Sequence, residues 1–262
     1  MKFGTALILS VLRPPVSEAS LYRSKTIASF TPLAFGHRPK KTMGGTRLST
    51  STTTVDTTTD EQDEIPPLRF LGDKQLMQRQ PVVTLEELQS EEFQQKLHML
   101  PLAMKKYGGI GIAAPQIGWW TRVFCFGIEG TNPRYPNAES LPLAMWINPE
   151  ITWSSEDKPC WMWEGCLSVP GMRGWVERPS EIILTGWDET GAKREPQHLK
   201  GLAARIVQHE LDHLDGVLFP QCVPDQNFLV PQASMTARDG WAPDWPSPGS
   251  YKTPLGELSE LK

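Results

Sequence analysis

The chain has 262 residues, 39% hydrophobic and 21% charged, with a formal net charge of −4. That composition can fill a core. No apolar run reaches the ~18–20 residues a membrane helix needs, which excludes membrane insertion. The acidic balance leaves no basic footprint for direct nucleic-acid binding, and four cysteines without a CxxC pair are too sparse for a disulfide framework.

Residues 1–50 carry eight basic residues, from Lys2 to Arg47, against the single acid Glu18, and are rich in Ser and Thr. The stretch 51–59 (STTTVDTTT) is of low complexity and cannot pack a core. Basic, hydroxyl-rich and acid-poor is the composition of an organellar transit segment. It predicts a targeting arm and linker over 1–65, with the mitochondrion or a plastid as destination. The apolar run 3–12 behind Lys2 leaves a secretory signal open as the alternative. Beyond residue 50 stand 18 basic and 29 acidic residues, so the near-neutral total hides a basic arm on an acidic body.

A single domain is expected over 66–225. Thr84 followed by Glu87 reads as a capping box that opens a helix. Leu88, Phe93, Leu97 and Leu100 supply its apolar positions, and Pro101 is placed at the start of a further turn. Strands are predicted over 121–127, 144–148 and 181–188. A helix is predicted over 199–215, with Gly216 as its stop. Residues 226–262, rich in Pro, Gly and Ser with Trp241 and Trp245 interspersed, predict an irregular tail, either wrapped on the body or without order.

The strongest local pattern is His209-Glu210-Leu211-Asp212-His213. Two His at i and i+4 share one helical face and can hold one metal ion, and Glu210 can reach a water on it. A catalytic site needs a further protein ligand. In metzincin proteases it is a His three residues after a Gly; here Phe219 stands at that position and cannot ligate. The first Glu after Gly216 is Glu257, deep in the tail. The third ligand is therefore expected upstream, and Cys166 in Glu164-Gly165-Cys166-Leu167-Ser168 is favoured, since thiolates bind Fe²⁺ and Zn²⁺ avidly. Cys125 is assigned to an apolar strand, Cys160 to a Pro/Trp-rich loop and Cys222 to the end of the helical region. A third segment, GIGIAAPQ at 109–116, lacks the last Gly of a nucleotide loop. Its small residues let an extended backbone lie close to a ligand, and Gln116 brings an amide donor.

GIGIAAPQ at 109–116, EGCLS at 164–168 and QHELDH at 208–213 together resemble the three motifs of the peptide deformylases, in the same order. The resemblance runs to about residue 225, and PGMR at 170–173 with AARIV at 203–207 is most similar to the organellar, mitochondrial-type branch. It implies an α+β fold with mixed antiparallel sheets around a central metal-binding helix. It implies hydrolysis of the formyl group from N-formylmethionyl nascent peptides, with release of formate. The implied metal is Fe²⁺ in the cell, with Zn²⁺, Ni²⁺ or Co²⁺ able to replace it.

The same resemblance implies roles for individual residues. Cys166, His209 and His213 are the metal ligands, with water in the fourth position, and Glu210 is the general base. The Gln116 amide and the Leu167 backbone N–H are the oxyanion donors. Ile110, Gly111 and Gly165 pair their backbones with an extended substrate. Glu164 and Arg178 brace the cysteine loop, against the alternative of an exposed pair. Arg205, one turn before His209, leaves the polarity of the methionine pocket open. Transient ribosome proximity is expected, yet 226–262 carries Arg238, Lys252 and Lys262 against Asp239, Asp244, Glu257 and Glu260, a poor composition for a ribosome-docking helix.

Overall fold

Thr84 starts the first helix by reciprocal capping. Its hydroxyl accepts from the Glu87 N–H at 3.1 Å, and the Glu87 carboxylate accepts from the Thr84 N–H at 2.7 Å. The helix α1 (Leu85–Gln89) is short because Ser90 turns extended and caps a second one, α2 (Glu91–Tyr107). Phe93, Leu97, Leu100 and Met104 form the buried stripe of α2. Pro101 lies inside α2 and does not begin a new turn, because Ala103 and Met104 keep the chain on the same buried face. Gly108, at φ +67°, ends it.

In this computed structural model the described residues are 65–130 and 138–253, with backbone alone at 259–260; all lie in one compact unit. The predicted targeting arm up to residue 64, and Glu257, fall outside them. The strands in chain order are β1 (Gly111–Ala113), β2 (Val123–Ile128), β3 (Leu141–Ser154), β4 (Pro159–Cys166), β5 (Val169–Pro179), β6 (Glu181–Trp187), β7 (Gln197–Lys200), β8 (Leu229–Pro231) and β9 (Ser259–Glu260). They form two antiparallel sheets, ordered β1-β2-β3-β6-β7 and β8-β5-β4-β9. With the helix α3 (Gly201–Leu214) lying against the first sheet, this is the expected α+β architecture.

The first sheet is covered on both faces. Val123 and Cys125 of β2 join the cluster built on α2, while Phe124 and Phe126 join Ile206, Val207 and Leu214 of α3. That is why β2 reads as an unbroken apolar run. The strand predicted at 144–148 is the middle of the longer β3. The helix predicted from 199 begins at Gly201, because 197–200 pair with β6 as β7 and Gly201, at φ +57°, makes the turn between them. Its end is as expected: Val217 N–H donates to Asp212 C=O at 2.8 Å around Gly216 at φ +78°. A Cβ on Gly216 would lie 2.7 Å from the Gln78 backbone, so only Gly fits.

The β4–β5 hairpin is the element that sequence patterning does not foresee. Cys160, assigned to a loop, is buried in β4. The tail lies against this hairpin: β8 pairs with β5, and Trp241 and Trp245 pack with Trp163 and Trp175. The indole N–H groups of Trp163 and Trp175 donate to Ser250 C=O at 3.2 Å and Ser247 Oγ at 3.0 Å. Among the described residues no helix is long and apolar enough to cross a membrane.

Candidate active site

Helical spacing puts His209 and His213 one turn apart on α3, with ring centroids 5.2 Å from each other. The β4–β5 hairpin brings Cys166 to them: its Sγ is 3.1 Å from His213 Nε2. The donor atoms of Cys166, His209 and His213 all lie within 4.8 Å of one another, and no other such group of three occurs among the described residues. Two of the remaining thiols, Cys125 and Cys222, are held protonated near neutral pH. Burial raises the pKa of Cys125, and pushes that of Cys222 up to about 11.

Behind the cluster stands a buried ionic network. His209 Nδ1 meets Glu164 Oε2 at 3.0 Å, which fixes the ring and leaves Nε2 as the ligand atom. Arg178 grips the same carboxylate through Nε at 2.7 Å and Nη2 at 3.0 Å, and Arg205 adds a bond at 2.8 Å. Glu164, Arg178 and Arg205 are only 5%, 7% and 4% exposed, so the Glu164–Arg178 pair is an interior brace. Burial opposes ionisation of Glu164, but Arg178, His209 and Arg205 outweigh it and hold the carboxyl well below the usual range. Arg178 also pairs with Asp212 at 2.7 Å. Arg205 reaches the Val176 carbonyl at 3.0 Å and the Cys160 carbonyl, so its guanidinium is tied to both strands of the hairpin.

The 3-10 turn after β1 positions Gln116. Its Oε1 accepts from the Ala113 N–H at 2.8 Å, which leaves Nε2 directed at Ser168 Oγ (3.2 Å) and Cys166 Sγ (3.5 Å). Glu210 is buried beside His209, and its Oε2 has no partner within the protein. Burial raises its pKa to about 7. Gly111 makes room for it: a Cβ there would lie 2.5 Å from Glu210 Oε1 and 2.8 Å from Ile206 Cγ2.

Gln116, Cys166, His209 and Glu210 line one cavity of about 320 Å³. Ile110, Gly111, Gly165 and Leu167 line it too, while His213 and Arg178 do not. A thiolate and two imidazoles suit Fe²⁺, Zn²⁺, Ni²⁺ or Co²⁺ better than Mg²⁺ or Ca²⁺. Two buried polar atoms without a protein partner, Glu210 Oε2 and His213 Nδ1, belong to this same group of residues. The donor set therefore fits a divalent metal ion.

Ser168, Asp212 and Arg205 are the contributors that sequence reasoning did not assign. Ser168 and Asp212 lie inside the quoted motifs, which is the signal that could have found them. Arg205 declares itself only when its distant partners are known.

A three-ligand metal site with a buried carboxylate in an open cavity defines a metal-dependent hydrolase. Its ligand set, with Cys in place of a third His or a Glu, sets it apart from the zinc proteases. Residues 66–228 match the polypeptide deformylase family, and the chain belongs to that family: it is a metal-dependent deformylase that removes the N-terminal formyl group. It is 41% identical to peptide deformylase 1 of Nitrosomonas europaea over 161 residues, covering 62% of this chain and 89% of that protein. It is 51% identical to peptide deformylase 1 of Prochlorococcus marinus over 123 residues, 47% of this chain and 62% of that one. The crystal structure of a class I type b peptide deformylase from Acinetobacter baumannii, bound to Met-Ala-Ser, superposes with a TM-score of 0.57 at 35% identity, covering 61% of this chain and 98% of that one.

Proposed function

We propose that this deformylase acts on N-formylmethionyl nascent peptides inside a mitochondrion or plastid, and that its residues divide the reaction as follows. Cys166, His209 and His213 hold the divalent ion, Fe²⁺ in the cell. When bound, the ion supplies Lewis acidity, polarising the formyl carbonyl and lowering the pKa of water. Glu210 takes the proton of the attacking water and returns it to the leaving amine; a carboxyl near pH 7 suits both transfers. The Gln116 amide and the Leu167 N–H donate to the developing oxyanion, and loss of one such donor typically costs ~10²–10³ in rate. Glu164, held by Arg178, orients His209. Main-chain groups of Ile110, Gly111 and Gly165 pair with the peptide backbone, which leaves downstream side chains largely unread.

The observation that carries this reading is the unpartnered Glu210 carboxylate in the same cavity as the Cys166 and His209 donors. Glu210→Gln should keep its metal while formate release from formyl-Met peptides drops by at least about 10³-fold. A variant with full metal content and wild-type turnover would remove Glu210 from the mechanism.

The organellar assignment is supported by the basic, acid-poor arm and by the PGMR and AARIV wording. Fusion of residues 1–65 to a fluorescent reporter tests it; cytosolic fluorescence would reject it. Ribosome proximity is transient in this reading, because the tail is not basic.

A further inference from the structure

We propose that a groove beside the catalytic cavity, between the C-terminal half of α2 and the end of β2, takes the residues of the formylated peptide that follow its first three. The inference rests on the deformylase reading of the site.

The strand β1 ends the order of its sheet, with β2 on one side. Ile110 and Gly111 line the catalytic cavity on the other. A peptide that adds to this edge has its formyl end by Gln116 and Cys166, which lie past the C-terminal end of β1. The rest of the peptide must therefore leave over the opposite end, past Gly109 and then Gly108. The chain bends at Ile110, so Gly111 to Gly108 spans at most about 10 Å, which no more than roughly three extended residues of peptide cover.

Gly108 and Gly109 line both the catalytic cavity and the neighbouring groove, so the two are continuous across them. This ridge has no side chains. A Cβ built on Gly108 meets nothing within 4 Å, so the space above it is open to a passing chain.

The groove has a volume of about 830 Å³. Pro101, Leu102 and Met104 of α2 form the apolar part of one wall, beside His98 and Lys105, and Ile128 and Leu143 of the sheet form that of the other, beside Glu129. Leu102 and Leu143 are 46% and 47% exposed, an apolar pair left open to solvent where the substrate path ends. The occupant that fits is an extended peptide with apolar side chains at its fourth to sixth positions. Continuity with the catalytic cavity favours this occupant over a second copy of the chain.

The test compares the metal-loaded wild type with the double variant Leu102→Ser, Leu143→Ser. Both leucines are half-exposed and neither belongs to the catalytic machinery. The substrates are formyl-Met-Ala-Ser and a formyl-Met hexapeptide with Leu at positions four to six. In the wild type, KM should be about fivefold lower for the hexapeptide, the scale of partly burying one apolar side chain. The variant should lose that advantage and keep wild-type kcat and KM on the tripeptide. A wild-type KM indifferent to length, or a length effect that survives in the variant, would overturn the proposal. Sedimentation as a dimer that the variant converts to a monomer, with the length effect intact, would give the groove to a second copy and also overturn it. If neither peptide releases formate, it is the deformylase reading that fails.

Discussion

Two carboxylates in this protein each meet two cationic side chains and a histidine. Glu164 faces Arg178, Arg205 and His209 in the interior; Glu181 faces Lys158, Lys200 and His198 at the surface. The partners are alike in charge and distance, but the surroundings differ. Lys158 and Lys200 are 62% and 63% exposed, so water competes for every charge around Glu181. Glu164 is only 5% exposed, and its carboxylate is matched by directed hydrogen bonds to Arg178, Arg205 and His209. An ion cluster of this kind gains consequence from burial and from what it orients, not from its number of pairs. The interior one orients a metal ligand.

The contrast can be broken or sharpened by substitution. Glu164→Gln leaves the buried Arg205 without a carboxylate and Arg178 with Asp212 alone. It should cost about 3–5 kcal/mol in urea unfolding and weaken metal retention about 10–100-fold. A milder loss would mean that water enters behind the hairpin and the two clusters are alike. Arg205→Met keeps the bidentate Arg178–Glu164 pair and fills similar volume. Its expected cost is about 1.5–3 kcal/mol, the range for hydrogen bonds to charged groups, with a smaller effect on metal retention. An equal effect from both substitutions would make Arg205, not Arg178, the principal brace. Glu181→Gln should leave melting temperature and turnover close to wild type.

The pH dependence of Glu181 follows from its partners. Lys200 above all, with Lys158 and His198, holds its carboxyl below the usual value. Its contribution is present above the unfolded carboxylate pKa of about 4.3 and is lost as pH falls through the lower folded value. The small difference between wild type and Glu181→Gln should therefore appear only above about pH 4 and should fade in high salt. A difference that persists in molar salt would show that Glu181 is more enclosed than its neighbours suggest.

What could be read from the sequence follows from the range of the interactions. The Thr84 cap and the Gly216 stop depend on residues three to five apart, and both are found as predicted. The metal histidines share a face by helical spacing alone. The hairpin β4–β5 has no such local signature, because Gly165, Gly171, Gly174 and the tryptophans interrupt any alternation. It is fixed by register, Trp163 opposite Trp175 and Cys160 opposite Arg178. The role of Arg205 has no local signature for the same reason: its partners lie 29 to 45 residues away.

The aromatic cluster under the tail has an optical consequence. Trp161, Trp163, Trp175, Trp241 and Trp245 form a chain of rings whose neighbouring centroids are 4.9–6.5 Å apart. Rings so close exchange excitation, so their near-ultraviolet circular dichroism should be that of a coupled set. Trp163 also borders the catalytic cavity. Light absorbed at the tail can thus be emitted beside the substrate, and the unlabelled enzyme carries a fluorescent gauge of both tail attachment and cavity occupancy.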